Sequence, residues 1–489
     1  TYGRPLYTTS GKYGGGYSFN GVDDYVDCGN DSSLDITDAI TIEAWMNPSG
    51  DGWKYKRPIT LNPATPEADY QVKIELNASN FDYSKAKVDG GDLRFYQADG
   101  TKLNYWIEEW NTSGTSTIWV KVATSGTDTI YMYYGNQAAS SESDGEATFE
   151  FFTDWESGTL EGWTIANDSG SGTGNVVQIS DSYWLKLYAP DLENRVQARK
   201  SFSSQSGYSV ILKHKTGATS EDGIIFGFSD GSDGLPTQDE PQNGYFADFG
   251  RYYNSENDII KSSAGTLTKL AIESYTLSND TIYLLEFAWY SNGNFKFWVN
   301  NVLRLTASDT EFSSFTYVFL GVSQYDDYFD WFLVRKYASS EPSATVGNET
   351  AAGISKAGSY GIGANTTTAF ASINNQTISA SISSGWNYIV LTYDKNSGGT
   401  EEMKLYVNGV KKATADYSVA ISTNSNNLLI GDLFNGTIDE VRIYNRSLTA
   451  EEIRMHYLSE FSRHNSTEWR FYDNVTGLIK TGSYTYYGW

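Results

Sequence analysis

MKLYVNGVKKA (403–413) and NNLLIGDLFNGTIDEVRIYNRSLT (426–449) are the segments that decide the fold of this chain. A second pair, FKFWVNNVLRL (295–305) and TYVFLGVSQYDDYFDWFLVRKYASS (316–340), repeats the order of their features. Each pair contains a strand, a two-residue turn with Asn and a returning strand, followed by an apolar strand ending in Gly and an aspartate before another apolar strand. Asn and Gly tolerate the positive φ angles of tight hairpin turns. The repeat predicts two β-sandwiches of one general type, ending near residues 345 and 460.

The composition favours strands along the whole chain. The 489 residues, enough for about three domains, include 46 Gly and only 9 Pro, and 15% of them are aromatic. We therefore predict an all-β fold of several antiparallel β-sandwiches (jelly rolls). One short C-terminal helix is predicted at 450–459, because Thr449 and Glu452 have the spacing of a capping box.

The charge balance excludes several function classes. With 35 basic and 60 acidic residues, the chain has a net charge of -25 and lacks the basic surface that nucleic acids require. The sequence contains no run of 18 apolar residues, so it predicts no membrane span. The chain begins at Thr1, as expected after processing or in a fragment, and its one cysteine, Cys28, is predicted to be a small buried residue.

The opening YSFNGVDDYVDCGNDSSLDITDAITIEAWMNP (17–48) resembles the first strands of a laminin-G-like, concanavalin A-like jelly roll. The phrases typical of the rest of that domain come much later, at Ile354-Ser355-Lys356, at Gly385-Trp386 and from Leu405 onward. The resemblance implies one split domain formed by residues 1–50 and 350–460, with some 300 residues inserted between its halves.

The insert itself has two parts. Residues 51–150, with WKYKRPITL (53–61) and STIWVKV (116–122), resemble a domain family of unknown function from archaeal and bacterial surface proteins, and are predicted to form a β-sandwich. Residues 151–347 open with TDWESGTLEGW (153–163), which resembles the first strand of carbohydrate-binding-module-like jelly rolls.

The two ends of the chain suggest assembly. Laminin-G-like domains have a strand before the phrase GKYGGGYSFNG (11–21), and we expect that strand to be missing here. Residues 465–489 read as a β-hairpin tail that is too small to be stable alone. One hypothesis is that the tail of one copy completes the sheet of another, giving a filament or a surface layer. An equally good interpretation is that both ends were cut from a longer chain.

Calcium is the metal that these domains would bind. In jelly rolls that resemble carbohydrate-binding modules, an acid near the first strand meets an aspartate on the last, and these positions match Glu156 (or Asp154) and Asp330. Asp439, with Asp23 or Asp24, is the corresponding set in the split domain. The alternative is that these acids cap strand ends or form salt bridges. A bound calcium ion would be structural, and no other cofactor is implied.

The sequence does not predict an enzyme. Glycosidases of this fold carry Glu-x-Asp-x-x-Glu on one strand, and no such strand is found. Adjacent acids, such as Asp326-Asp327, point to opposite faces of a strand. The three histidines are predicted to be surface residues: His214, His456 and His464. Several tryptophans could stack on sugars, but their strand positions favour core packing: Trp53, Trp106, Trp110, Trp155, Trp163, Trp298 and Trp331.

Glycosylation sequons point to the exterior of a cell. The twelve Asn-x-Ser/Thr sites are Asn30, Asn77, Asn111, Asn167, Asn279, Asn348, Asn365, Asn375, Asn435, Asn445, Asn465 and Asn474. The favoured function is an extracellular structural or adhesive protein of the cell surface, of archaeal type, whose partners are copies of itself. The alternative is a carbohydrate-binding, lectin-like module array of a longer secreted protein, whose partners are glycans.

Overall fold

The structure, a computed structural model, contains 39 strands and two helices in the part of the chain that it describes. It describes the chain apart from residues 1–3, 22–23, 50–52, 54, 168–170, 191–195, 218–222, 232–240, 252–254, 291–292, 323–324, 348–349, 352, 375, 433, 464–468, 474–478 and 483–489. The strands before the insert are β1 (Leu6–Gly11), β2 (Gly14–Asn20), β3 (Val26–Asp27) and β4 (Ala39–Pro48).

The insert begins with six strands and a short helix: β5 (Tyr55–Asn62), β6 (Tyr70–Leu76), β7 (Arg94–Gln97), β8 (Lys102–Glu109), β9 (Ser116–Val122), β10 (Thr129–Tyr134) and α1 (Gly145–Thr148). Fifteen strands follow: β11 (Phe151–Thr153), β12 (Thr164–Asn167), β13 (Thr173–Ile179), β14 (Ser182–Ala189), β15 (Val196–Gln205), β16 (Tyr208–Thr216), β17 (Ile224–Ser229), β18 (Gly244–Arg251), β19 (Glu256–Ser263), β20 (Thr266–Ser274), β21 (Ile282–Tyr290), β22 (Asn294–Val299), β23 (Val302–Ser308), β24 (Ser314–Val322) and β25 (Tyr325–Lys336).

The last third of the chain supplies the remaining elements: β26 (Ser343–Val346), β27 (Thr350–Ala351), β28 (Gly353–Lys356), β29 (Tyr360–Ala364), β30 (Thr368–Ile373), β31 (Gln376–Ser381), β32 (Asn387–Asp394), β33 (Met403–Val407), β34 (Val410–Ala415), β35 (Leu428–Asp432), β36 (Asn435–Tyr444), α2 (Ala450–Leu458), β37 (Ser459–Arg463), β38 (Trp469–Asp473) and β39 (Ile479–Gly482). The pairings between the named strands are antiparallel, so the predicted all-β fold with a short helix after the last jelly-roll strand is confirmed.

Both ends of the split jelly roll lie in one domain, called here the host domain. One sheet has the order β1-β2-β36-β4-β32-β33-β34 and the other β3-β35-β28-β29-β30-β31. In the first sheet Trp45 on β4 lies opposite Asp439 on β36. Ile40, Ile42 and other apolar residues before the insert pack in one buried core with Ile389 and its neighbours after it.

The insert contains two further domains, one nested inside the other. The inner domain (β11–β25) is a sandwich of two sheets around a large aromatic core. The middle domain (β5–β10 with β26 and β27) is one sheet folded over its own core, with β26 lying against β6. The structure thus adds Ser343–Val346 to the middle domain, because this segment pairs with β5, whereas the sequence grouped it with residues 151–347.

The two ends differ from the sequence-based expectation. The strand expected to be missing before the GKYGGGYSFNG phrase is present as β1, which pairs with β2 and is mostly exposed. The tail forms a three-stranded sheet, β37-β38-β39, rather than a hairpin. Its first strand, Ser459–Arg463, directly follows the helix. The strand β1 is short and polar (LYTTSG), so its sequence lacks the apolar alternation that predicts a strand.

The helix α2 begins with the predicted capping box. The Glu452 N–H donates to Thr449 Oγ1 at 3.2 Å, and the Thr449 N–H donates to Glu452 Oε2 at 2.8 Å. The hydrogen bond from Arg446, followed by the one from the Thr449 N–H, lowers the pKa of Glu452 from 4.5 to about 2. No helix among the described residues is long and apolar enough to cross a membrane.

Removing the cap should weaken the attachment of α2. We expect Thr449→Ala to lower the free energy of unfolding of the host domain by about 1 kcal/mol, measured by urea denaturation. Because the pKa of Glu452 is depressed in the folded state, its contribution is present above pH 4.5 and is lost as the pH falls toward 2. A Thr449→Ala penalty of the same size at pH 2 and pH 7 would contradict the coupling of the two residues.

Candidate functional site

The structure brings the two predicted calcium ligands of the inner domain to one serine. Ser182 Oγ donates to Glu156 Oε1 at 2.5 Å and to Asp330 Oδ1 at 3.3 Å. Asp154, the alternative ligand, instead accepts the Glu156 N–H at 3.2 Å, and burial raises its pKa. Glu156 and Asp330 therefore share one end of the sandwich, as the pattern predicts.

These acids fit a calcium ion poorly. Calcium binds six to eight oxygen ligands, but Lys213 Nζ donates to Asp330 Oδ2 at 2.7 Å and supplies the positive charge there. Glu156 also accepts the Tyr183 N–H at 3.0 Å. In the described ranges, no three His, Cys, Asp or Glu side chains are grouped so as to hold a metal ion. The geometry is that of a capped strand end with a salt bridge.

Chelation tests the calcium expectation directly. Because the ammonium of Lys213 already pairs with Asp330, we expect saturating EDTA to leave the thermal midpoint of the full chain unchanged. Lys213→Met is the matched variant, since it removes this cation and leaves the carboxylates facing each other. A midpoint that falls on chelation of the unaltered chain would show that calcium is bound after all.

The host-domain acids lie apart. Asp439 is buried and accepts the Tyr13 N–H at 3.0 Å, while Asp24 accepts the Asn20 N–H at 2.9 Å. Asn20 pairs with Asn435 on β36. Asn435 precedes Asp439 by four residues, so the two lie about 13 Å apart at ~3.3 Å per residue. Asp24 and Asp439 therefore do not share an ion position. Asp23 lies outside the described residues.

The predicted exposure of His214 and the predicted burial of Cys28 are both wrong. His214 is completely buried, because it faces the inner-domain core, and its Nε2 lies 2.7 Å from Asp327 Oδ1. Burial raises the pKa of Asp327, against the hydrogen bond from His214. His456 is partly buried, with its Nδ1 3.0 Å from Glu43 Oε2, and His464 lies outside the described residues. Cys28, predicted to be buried, is exposed because it follows the short edge strand β3.

The sequons differ in accessibility. Asn365 is buried, and its Oδ1 accepts the N–H groups of Thr367 and Thr368 at 2.9 Å, so it does not present its amide to solvent. Exposed sites are Asn30, Asn279 and Asn445, and partly exposed sites are Asn77, Asn111 and Asn435. Asn167 is described by its backbone alone, and four sites lie outside the described residues: Asn348, Asn375, Asn465 and Asn474.

A cleft of about 400 Å³ lies between the middle and inner domains. The middle domain lines it with Gln71, Lys73, Glu75, Glu108, Thr117 and Trp119. The inner domain lines it with Ile211, Leu284, Glu286, Trp298, Asn301 and Arg335. The connecting segment contributes Glu341 and Pro342, and β26 of the middle domain contributes Ser343 and Ala344. Alternate residues of β6 and β9 line this cleft, since successive side chains of a strand point to opposite faces.

Arg335 holds the base of the cleft together. It is 2% exposed and donates to both oxygens of Glu341 at 2.7 Å and to Glu286 Oε1 at 2.7 Å. Burial alone would raise the pKa of Glu341, but the charge and the hydrogen bonds of Arg335 hold it below its usual value. The hydroxyl of Tyr70 also contacts Glu341, so residues of both domains and the connecting segment meet in one network.

Trp119 and Glu108 form the opposite wall. The indole N–H of Trp119 donates to Glu108 Oε2 at 2.8 Å, and the Arg335 guanidinium lies 5.1 Å from the Trp119 ring. Burial raises the pKa of Glu108, opposed by the hydrogen bond from Trp119 and by the charge of Lys73. Trp298, on the inner domain, is partly exposed, with its ring 5.8 Å from that of Tyr337.

The cleft was not predicted from the sequence. Trp298 was considered as a sugar-stacking residue, and Trp119 was not singled out. A signal is visible in retrospect in β6, where Gln71, Lys73 and Glu75 alternate with buried apolar residues. This alternation is also what a solvent-facing strand shows, and two strands far apart in sequence give no indication that their polar faces meet.

Two family matches confirm the resemblances seen in the sequence. Residues 89–166 match a family described as a domain of unknown function, DUF2341. Residues 331–454 match the concanavalin A-like lectin/glucanases superfamily. No curated protein is significantly similar to the chain in sequence.

Several solved structures are similar to this chain over somewhat more than a third of its length. The carbohydrate-binding module CBM66 from Bacillus subtilis is 16% identical, with a TM-score of 0.27, covering 36% of this chain and 96% of its own. A protein of unknown function with a galectin-like fold, also from Bacillus subtilis, is 14% identical, with a TM-score of 0.31 and coverage of 38% and 94%. The calcium-bound VIP36 exoplasmic/lumenal domain is 12% identical, with a TM-score of 0.31 and coverage of 40% and 97%.

Proposed function

We propose that this chain is an extracellular glycan-binding protein and that the cleft between its middle and inner domains is the binding site. The observation that carries the proposal is one concave space lined by the partly exposed Trp298, by Trp119, which is 6% exposed, and by amide and carboxylate groups. Clefts between domains that combine aromatic walls with a few placed polar groups are typical small-ligand sites.

The lining suits a sugar chemically. The C–H face of a pyranose packs on an indole ring, while its hydroxyl groups need fixed donors and acceptors around the rim. Gln71, Asn301 and Thr117 supply amide and hydroxyl groups, and Glu75 and Glu108 supply carboxylate acceptors. A volume of about 400 Å³ is enough for a short oligosaccharide rather than a long chain.

The charges favour a neutral glycan. Four carboxylates line the cleft (Glu75, Glu108, Glu286 and Glu341), against the two cations Lys73 and Arg335. The charge of Arg335 is already paired with Glu286 and Glu341. A uronic acid or a sulfated sugar would meet a surplus of negative charge, so neutral hexoses are the proposed ligand class.

We further propose that the glycan is bound without cleavage. Glycosidases pair an acid with a nucleophile on either side of the scissile bond. Here Glu286 and Glu341 both accept from Arg335, which ties them to the protein. Of the other two acids, Glu75 pairs with Lys73 at 3.3 Å, and Glu108 accepts the indole N–H of Trp119. Prolonged incubation with a bound oligosaccharide should return it intact, and release of shorter products would overturn this part.

A glycan array followed by calorimetry tests the proposed site. We expect the full chain to bind neutral oligosaccharides and Trp298→Ala to weaken the binding roughly tenfold or more, because it removes one stacking face. Trp110→Ala is the matched control, since Trp110 packs on Phe81 and Tyr83 away from the cleft. An equal loss in both variants, or no binding by the unaltered chain, would contradict the proposal.

The location outside the cell and an adhesive role belong to the same proposal. Exposed sequons such as Asn279 and Asn445 support an extracellular location. Glycan binding gives a surface protein a means of adhesion. Assembly of copies into a filament by strand donation has less support, because β1 fills the edge position that a donated strand was expected to occupy.

A further inference from the structure

A buried lysine joins the two halves of the host domain. Lys356, at the end of β28, is 1% exposed. Its ammonium reaches across β35 to contact the side-chain oxygen of Asn30, and it also donates to the Asn426 carbonyl at 3.0 Å. This contact crosses β35 because β3, just before Asn30, pairs with one edge of that strand and β28 with the other.

A carboxylate completes the group. Asp35 Oδ1 lies 3.3 Å from Lys356 Nζ. This oxygen is buried and makes no hydrogen bond among the described residues. The amine of Lys356 thus contacts both a primary amide and a carboxylate. The amide oxygen that it contacts is bonded to Cγ, the carbonyl carbon of the Asn30 side chain.

We propose that Lys356 and Asn30 form an intramolecular isopeptide bond, with Asp35 as the proton carrier. A primary amine attacks an amide when it is held against the carbonyl in a fixed orientation and protected from water. Burial of Lys356 keeps water from the amine, and its contact with the Asn30 oxygen holds it beside the amide, whose other side is exposed. The proposal does not depend on the glycan site.

The reaction balances without a further reactant. Asp35 takes a proton from Lys356 Nζ, and the free amine attacks Asn30 Cγ. The new Nζ–Cγ bond forms and the Cγ–Nδ2 bond breaks. Asp35 passes this proton, and then the second proton of the attacking nitrogen, to Nδ2, which leaves as ammonium. The new amide nitrogen keeps one hydrogen, and no group is oxidised or reduced. The product is an amide that links side chains 326 residues apart.

A second buried lysine, Lys56, forms an ordinary ion pair. Lys56, 5% exposed, contacts Asp432 and lies over the ring of Tyr131 at 4.4 Å. Lys356 contacts, besides a carboxylate, a primary side-chain amide, which carries the leaving group that the reaction needs.

The bond and glycosylation exclude each other at Asn30. Asn30 begins the sequon Asn30-Asp31-Ser32, and both modifications use the same amide nitrogen. A chain that cross-links as it folds would lose this sequon before it could be used. The cross-link would also close the root of the insert, since it joins the segment before the insert to the segment after it.

Intact-mass spectrometry of the full chain, denatured after expression in a host without N-glycosylation, tests the proposal. We expect the mass to be lower than that of the sequence by one ammonia. Trypsin should fail to cleave after Lys356 and should release a branched peptide that contains Asn30. Lys356→Arg, which keeps the charge, and Asp35→Asn should both restore the full mass, while Lys56→Arg should keep the loss.

Two results would overturn the proposed isopeptide bond. A full mass for the unaltered chain, with tryptic cleavage after Lys356, would show an ordinary hydrogen-bonded lysine. A mass loss that survives in Lys356→Arg would show ammonia lost elsewhere, such as succinimide formation at an Asn-Gly sequence. Both results would remove the proposal, and neither bears on glycan binding by the cleft.

Discussion

Replacing Glu43 with alanine is expected to lower the free energy of unfolding of the host domain by about 3–5 kcal/mol. Glu43 on β4 is completely buried, and its two oxygens serve four partners. Tyr388 donates at 2.6 Å, Arg442 at 3.0 Å and Tyr444 at 3.3 Å, while His456 Nδ1 lies at 3.0 Å. Without the carboxylate, a guanidinium and two hydroxyl groups lose their buried acceptor.

Because the Glu43 network includes a residue of α2, its loss can be measured in that helix. His456 belongs to α2, and the helix packs over the same sheet face through Ile453 and Tyr457. We expect hydrogen exchange in α2 to accelerate in Glu43→Ala, while the inner domain is unchanged. Glu451→Ala is the control, since Glu451 is exposed at the start of the helix. A loss below about 1 kcal/mol would indicate that water replaces the carboxylate.

Arg335→Met should cost a similar amount, about 3–5 kcal/mol, but at the junction of the middle and inner domains. The substitution leaves Glu286 and Glu341 facing each other without their shared cation. It also removes the guanidinium that joins Trp119 on the middle domain to the inner domain, so the walls of the cleft should separate and its glycan affinity should fall as well. Denaturant unfolding followed by limited proteolysis near residue 341 would detect both domains loosening together.

Arg304→Met is the matched control for this prediction. Arg304 pairs with Glu273 at 2.7 Å but is partly exposed, and exposed pairs contribute less than about 1 kcal/mol. Equal destabilisation by the two variants would contradict the importance of burial. A stable Arg335→Met protein that still binds glycan would place the site elsewhere.

The hairpin turns and the helix cap were predictable from the sequence. The Asn300-Asn301 and Asn408-Gly409 turns have positive φ angles at all four residues, as the hairpin pattern requires. The capping box of Thr449 formed because both partners lie within four residues of each other. Such features depend on neighbouring residues, so tertiary packing does not override them.

Features that depend on how separate segments meet were not predictable. His214 sits between two lysines in a pattern typical of a solvated strand end, yet its face of β16 is the core face. The cleft forms from strands of two domains, and the Lys356 contact joins residues on either side of the insert. In each case the partner is distant in sequence, and periodicity reports which residues share a face but not what that face meets.

The nesting of the three domains imposes an order on their formation during translation. The strands of the inner domain are contiguous from β11 to β25, so its sandwich can close as soon as β25 has left the ribosome. The sheet of the middle domain waits for β26, and β4 waits longer still, since its neighbours β32 and β36 are synthesised near the end. The earliest residues made are thus among the last to find their partners, and this open edge is where a nascent chain would need protection from aggregation.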